Sequence, residues 1–349
     1  MDNDTTLRTT TTTTTGSATM QAIVQHRYGP PEQVLHLDEV ARPTPDPDHV
    51  LVQVRASSVN TPDCLGTVGE PWVLRAQAGL RRPKTPIRGS DLAGVVVEVG
   101  RDVTDLEPGD EVFGSSWADS LATPGTFCEY AVAPAETLVR KPDGLDWVDA
   151  AASVMSGLTA LVGVHDVADI GPGTTVLVNG ASGGVGTFMV QLAHRLGAEV
   201  TGVCSGRNVE LVRSLGADHV IDYTEQDVTE VDARYDVVFD NVANHPAPAM
   251  VRLLAEGGMF VPNSVGQGTR LLRGLPRMGR AMLLGLGSTN VATINSDVDR
   301  ANLTDLADLL AAGEVATVVG RTYPLAAVPD AVAHMLGHHA VGNVGIAIA

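Results

Sequence analysis

Residues Thr174 to Gly186 read TTVLVNGASGGVG, and this stretch decides the fold. Val176 to Val178 have the apolar, largely β-branched character of a strand covered on both faces, and Thr187 to Ala193 continue with the apolar spacing of a helix. Between them stand Gly180, Ala181, Ser182, Gly183, Gly184, Val185 and Gly186. Gly180, Gly183 and Gly186 follow a dinucleotide fingerprint with its middle position shifted and Gly184 added. Glycine is required there because the turn is tight, the backbone must approach a diphosphate, and the helix must pack closely on the strand while its N-terminal amides face the anion. The strand, turn and helix context is what makes such a glycine set informative.

Downstream, Glu199 to Cys204 reads as a second strand, Asn208 to Leu215 as a second helix and His219 to Tyr223 as a third strand, which completes a βαβαβ unit. NAD-specific folds place an acidic residue about 20 positions past the glycines to hold the ribose hydroxyls. Ser205 occupies that place here, followed by Gly206 and Arg207. A hydroxyl and a guanidinium suit a 2′-phosphate, so the residues favour NADPH over NADH.

The chain has 349 residues, long enough for two domains with their own cores, and a formal charge of −18, which argues against nucleic acid or an anionic membrane as a general partner. Cys64, Cys128 and Cys204 lie far apart with no C-x-x-C, so neither a disulfide framework nor a cysteine zinc lobe is expected, in keeping with a cytoplasmic location. No run of 18 or more apolar residues suggests a membrane span. Residues 1–19 are dominated by threonine and read as a disordered extension without the pattern of a signal peptide.

Residues 20–145 carry short strand-like runs broken by Pro and Gly: Gln21 to His26, Val50 to Val54, Leu92 to Val99, Glu111 to Phe113 and Cys128 to Ala133. A helix is expected over Asp143 to Val164. The nucleotide-binding pattern continues through the strand Tyr235 to Phe239, the helix Ala247 to Ala255, the strand Met259 to Pro262 and a helix near Asn302 to Ala312. From residue 315 the β-rich texture returns, with strands at Val315 to Val319 and Val344 to Ile348 and a helix at Pro329 to Leu336. The expected architecture is α/β: a doubly wound parallel sheet over residues 146–314, inserted into a β-rich domain formed by residues 20–145 and 315–349.

At this point the chain resembles a known family. MQAIVQHRYGPP at Met20 to Pro31, Val59 to Asp63, Gly89 to Gly94, Pro108 to Gly114 and NGASGGVG occur in the order found in medium-chain dehydrogenases/reductases, especially their zinc-free quinone oxidoreductase branch. The resemblance implies a GroES-like catalytic domain, a Rossmann domain and an active site between them. It implies that Asn60 and Asp63 are catalytic residues near the nicotinamide, Asn60 above all, with local turn chemistry around Pro62 as the alternative role of both. It also implies that Tyr223 reaches the adenosine phosphate, that Asn241 and Val242 lie beneath the nicotinamide ribose, and that Ser264 and Val265 flank the nicotinamide. Where zinc-dependent relatives carry ligands, this chain has Asn60, Ser90 and Asp91, so no metal is expected. The implied reaction is hydride transfer from NADPH to a quinone or an α,β-unsaturated carbonyl. A homodimer joined at the Rossmann sheet edge is also implied, answers the exposed-edge problem, and is checked by light scattering. Trp72 stands where relatives often carry tyrosine, and with Trp117 is a candidate pocket wall; Asn343 follows Gly342 where many relatives have lysine.

Other readings of the same residues are open at this stage. Gly180 to Gly184 also satisfies G-x-S-x-G, which would make Ser182 a hydrolase nucleophile with Asp240 and His334 as partners, although no oxyanion-hole HGGG segment accompanies it. A non-enzymatic NADP(H)-binding redox sensor uses the same fold. No tyrosine is followed four positions later by lysine, which disfavours short-chain reductase chemistry. His334 and His338 read as a helix end meeting its dipole rather than as metal ligands. Arg270, Arg273, Arg277 and Arg280 would form a basic stripe if that segment were helical, a continuity that Gly274, Pro276 and Gly279 undermine; a lid near the substrate cleft and a subunit contact are the readings open for it.

Overall fold

The computed structural model describes residues 18–117, 125–264, 266, 275–287, 289–295 and 298–349. Along the first part of the chain lie β1 (Thr19–Gln25), α1 (Pro31–Val34), β2 (Leu35–Ala41), β3 (His49–Val59), α2 (Thr61–Val68), α3 (Arg75–Ala78), β4 (Asp91–Val99), β5 (Glu111–Ser115), β6 (Tyr130–Pro134) and β7 (Leu138–Arg140). Next come α4 (Trp147–Val162), β8 (Thr175–Asn179), α5 (Gly184–Arg195), β9 (Glu199–Cys204), α6 (Val209–Ser214), β10 (His219–Asp222), β11 (Tyr235–Asp240), α7 (Ala247–Val251) and β12 (Leu254–Pro262). The rest comprises α8 (Leu275–Leu284), β13 (Asn290–Val291), α9 (Arg300–Ala311), β14 (Val319–Pro324), α10 (Val328–Leu336) and β15 (Asn343–Ala347).

β8 to β13 form one sheet in the order β10-β9-β8-β11-β12-β13, with every pairing parallel. β8 and β11 are buried along their apolar runs, as a strand covered on both faces must be. The second sheet runs β14-β15-β3-β4-β5-β7, with β6 also paired to β3. β14 and β15 come from the far end of the chain, and β15 pairs antiparallel with β3 from Val344 opposite Val59 to Ala347 opposite Ala56. That pairing returns the chain to its first domain.

α4 joins the two halves. The Asp146 carboxylate caps it by accepting from the Val148 amide at 2.8 Å, which is why the helix begins at Trp147 and not at Asp143. Only Trp147, Val148, Asp149 and Met155 escape full burial among its residues, and it packs on β3, β4, β5 and β15 as well as α5 and α9. With the π-helical turn that follows, it makes a 21-residue helix apolar and long enough to span a bilayer. Its burial identifies it as a core helix. Phe113, Phe188 and Phe239, none of them exposed, lie in the same core, and each contributes about 1.5–3 kcal/mol by leaving water.

Two expected elements are displaced. Val315 does not open a strand; at 3% exposure it fills the core beside Leu306 and Leu310, and the strand forms at Val319–Pro324, where it pairs with β15. The helix expected to Ala255 ends at Val251, because Leu254 already pairs with Tyr235 as the start of β12.

Candidate functional site

The chain order in the parallel sheet reverses between β8 and β11, and the carboxyl ends of these strands open a crevice. Asn179 ends β8 and Asp240 ends β11, and the Asn179 amide donates to Asp240 Oδ1 at 2.8 Å across that opening. Gly180 follows with φ +84°, a conformation natural to glycine. Its amide and that of Ala181 both donate to the Val203 carbonyl, at 3.2 and 3.0 Å, which folds the turn back over β9. A Cβ on Gly186 would stand 2.1 Å from the Gly180 oxygen, and one on Gly184 would stand 2.3 Å from Asn343 Oδ1 and 2.7 Å from Ser156 Oγ. Gly183, by contrast, has only the Gly180 oxygen at 3.5 Å in front of it. The first turn of α5 leaves the Gly184, Val185 and Gly186 amides without intrahelical acceptors at the mouth of this loop. That is the arrangement a diphosphate fits.

The described residues among the predicted cofactor contacts lie around these strand ends. Ser182 donates nothing to a histidine: its Oγ accepts from Asn208 Nδ2 at 3.1 Å, and the same amide reaches Ser205 Oγ at 3.2 Å. Asn208, missed in the sequence, ties the glycine loop to the end of β9. Its only sequence signal is an Asn at the start of a helix, which reads as ordinary capping. Arg207 is exposed and donates to the His339 carbonyl at 3.3 Å. Tyr223 is 50% exposed, with its amide on the Cys204 carbonyl. Asp222 was also unforeseen. Its carboxylate lies so close to Gly206 that a Cβ there would be 2.4 Å away, and hydrogen bonds from Thr224 hold it below the usual carboxylate range. On the other side of the crevice, Asn241 Oδ1 accepts from Asn263 at 2.8 Å, Val242 is 41% exposed, and Ser264 Oγ accepts from the Gly266 amide at 3.1 Å. Val265 lies outside the described residues.

A buried polar cluster lies in the other domain, where the end of β3 and the start of β4 meet the N-terminus of α2. Asp91, with no exposed surface, accepts on Oδ2 from Asn60 Nδ2 and Ser58 Oγ, both at 2.8 Å, and from the Met155 amide at 3.3 Å; Ser90 Oγ donates to Oδ1 at 3.2 Å. Asn60 precedes α2, and its own amide donates to Asp63 Oδ2 at 2.8 Å, one half of a capping box. The adjacent Ser156 hydroxyl on α4 donates to Asn343 Oδ1 at 2.6 Å, and the Gly342 amide donates to the Ser182 carbonyl at 2.7 Å. Met155 and Ser156 thus link the Asp91 cluster to the glycine loop through consecutive residues of one helix. Trp72 is 46% exposed, with the Arg75 guanidinium over its ring.

Burial pushes Asp63 up to about 7, aided by the charge of Asp91 and opposed by the Asn60 amide and Arg88; burial likewise pushes Asp91 up to about 6 against its four donors. The folded state therefore binds these protons more tightly than the unfolded chain. The stability they contribute is full below the ordinary aspartate value and is lost as pH rises towards about 7. Melting temperature should fall across that interval, and the fall should be smaller in Asp63→Asn, whose amide oxygen still accepts from Asn60. An identical pH slope in the two proteins, followed by calorimetry, would remove Asp63 as the cause.

The hydrolase reading finds no triad. Asp240 is engaged by Asn179 and Arg277, and His334 Nδ1 faces the Tyr323 hydroxyl at 3.2 Å, while Ser182 faces Asn208. A cavity of about 430 Å³ lined by His165, Asp166, Arg195, Asp305 and Glu314 lies at the C-terminal end of α5, opposite the glycine loop, and contains none of the residues above.

The comparisons with known proteins now decide the family. Residues 46–143 match the alcohol dehydrogenase GroES-like domain and residues 215–344 match the zinc-binding dehydrogenase model. A chloroplast envelope quinone oxidoreductase homolog of Arabidopsis thaliana is 31% identical over 341 residues, covering 93% of this chain and 97% of that one. The chain belongs to the medium-chain dehydrogenases/reductases, in their quinone oxidoreductase-like branch. An NADPH-dependent alkenal/one oxidoreductase of the same plant is 32% identical over 335 residues, covering 93% and 78% of the two chains. The solved quinone oxidoreductase from Coxiella burnetii superimposes with a TM-score of 0.82 at 26% identity, over 95% of this chain and all of that one.

Proposed function

We propose that this member of the family transfers hydride from NADPH to a quinone or an α,β-unsaturated carbonyl without a metal, in the cytoplasm. The observation that carries the reading is the pairing of a diphosphate-shaped glycine loop with a cluster, Asn60, Ser58, Ser90 and Asp91, whose side chains hydrogen-bond to one another. Amide and hydroxyl oxygens are poor zinc ligands, and the one carboxylate in the cluster already accepts four hydrogen bonds. Without a Lewis acid, a simple ketone has nothing to stabilise its developing alkoxide. A conjugated acceptor spreads that charge into its own enolate or hydroquinone anion. The names of the relatives, quinone oxidoreductase and alkenal/one oxidoreductase, agree with this preference.

NADPH supplies the hydride when bound. The chain's part is to hold and orient: the α5 amides for the diphosphate, Ser205 and Arg207 for the 2′-phosphate, Asn241 and Val242 for the nicotinamide ribose, and Asn60 at the head of α2, itself held by Ser58 and Asp91, near the nicotinamide. Asp63 acts through its hydrogen bond to the Asn60 amide, as a positioning group. Solvent completes protonation.

Purified protein incubated with NADPH and separate sets of quinones, enones and simple ketones should reduce at least one conjugated class, undiminished by chelator. Activity confined to simple carbonyls or alcohols, or abolished by chelation and restored by zinc, overturns the reading. Tight NADPH binding without turnover of any acceptor would instead establish the sensor.

A further inference from the structure

We infer that Arg277 is a positioning residue for the dinucleotide: its guanidinium brackets the Asp240 to Ala243 turn and so sets where Val242 stands beside the glycine loop. The inference rests on the reading of the crevice as the dinucleotide site. It gives a role to one arginine of the basic stripe, which the proposed reaction leaves unused.

Asp240 is 1% exposed, and Arg277 Nη2 donates to its Oδ2 at 2.7 Å while Nη1 donates to the Ala243 carbonyl at 2.6 Å. The Ala243 amide in turn donates to Asp240 Oδ1 at 2.9 Å. Ala243 has φ +61°, in the left-handed region that a residue with a Cβ avoids. Both of its backbone polar groups are therefore tied, one by Asp240 and the other by Arg277, and a strained conformation persists when its surroundings over-determine it. Immediately before it, Val242 projects 41% exposed, close enough to the loop that a Cβ on Gly180 would meet its Cγ2 at 2.7 Å. The latch comes from α8, outside the βαβ units that carry the fingerprint. Arg277 is itself only 22% exposed in its side chain, so its ion pair is screened far less than a surface pair.

The test measures NADPH dissociation constants by cofactor fluorescence, together with melting temperatures, for the unmodified protein, Arg277→Ala, Ala243→Gly, the double variant and Arg280→Ala. Arg277→Ala should weaken NADPH about tenfold, the scale of one lost charge-assisted hydrogen bond. Ala243→Gly alone should bind almost normally, since glycine adopts this φ without strain. In the double variant glycine should restore at least about threefold of the lost affinity, because glycine holds this φ without the strain that Arg277 opposes in alanine. Exposed Arg280 removes the same charge from the same helix and should change nothing. A role confined to docking α8 would lower the melting temperature without rescue by glycine. If Arg277→Ala does not accumulate folded, Arg277→Lys, which reaches one acceptor instead of two, should bind weakly and be rescued in the same way. Unchanged affinity in Arg277→Ala, or a double variant no better than the single, overturns the inference. Failure of the unmodified protein to bind either NADPH or NADH overturns the dinucleotide reading itself, and is seen before any substitution is made.

Discussion

Gly186→Ala should abolish detectable dinucleotide binding and lower the melting temperature by several degrees. The added methyl would lie 2.1 Å from the Gly180 carbonyl oxygen and 2.9 Å from Ala181 Cα, and both are backbone atoms that cannot rotate away. Either α5 lifts from the sheet or the turn opens, at an overpacking cost of about 1–3 kcal/mol or more. Both routes move the α5 amides that face the crevice. Gly183→Ala provides the contrast, because its Cβ would meet only the Gly180 oxygen at an ordinary 3.5 Å and its φ of −85° suits alanine. That variant should melt with the unmodified protein. Normal NADPH affinity in Gly186→Ala, read by fluorescence titration, would mean that this loop does not hold the cofactor.

Arg207→Ala should raise the Michaelis constant for NADPH about tenfold or more and leave NADH nearly unaffected, since a hydrogen bond to a charged group contributes about 1.5–3 kcal/mol. Arg207 donates to the His339 carbonyl and stands in solvent, so the effect should be largest at low ionic strength. Asp222 opposes it. An ionised carboxylate against Gly206 repels a 2′-phosphate in the same corner, so Asp222→Asn should shift the preference further towards NADPH. Ser205→Asp adds a second carboxylate and should reverse the preference. Equal weakening of both cofactors by Arg207→Ala would show that the guanidinium does not read the phosphate.

The glycine loop was legible because each of its constraints is local: a positive φ at Gly180 and a close backbone approach at Gly186 follow from a few consecutive residues. β9 was read at its true limits, Glu199–Cys204, for the same reason. Contacts between distant segments were not legible. Asp222 reaches Gly206 only because β10 lies beside β9, and Arg277 reaches Asp240 only because α8 folds back over the crevice. Val315 reads as a strand residue because its apolar neighbours look the same whether they fill a core or extend a sheet. Asn60 and Asp63 stand out through the family pattern. Their capping relation was written in the sequence as Asn-x-x-Asp, whereas the grip of Asp91 on Asn60 depends on the β3 to β4 pairing.

The most direct test of the central claim is to reduce an enone or a quinone with NADPH carrying deuterium at both C4 positions of the nicotinamide, and to follow the label by mass spectrometry in the enone product or, for a quinone, in the cofactor. Deuterium at the enone β-carbon, or label lost from the cofactor at the rate of quinone reduction with a kinetic isotope effect, is the predicted result. A product formed without transfer of the C4 label, or no reduction of any conjugated acceptor by NADPH, would contradict it.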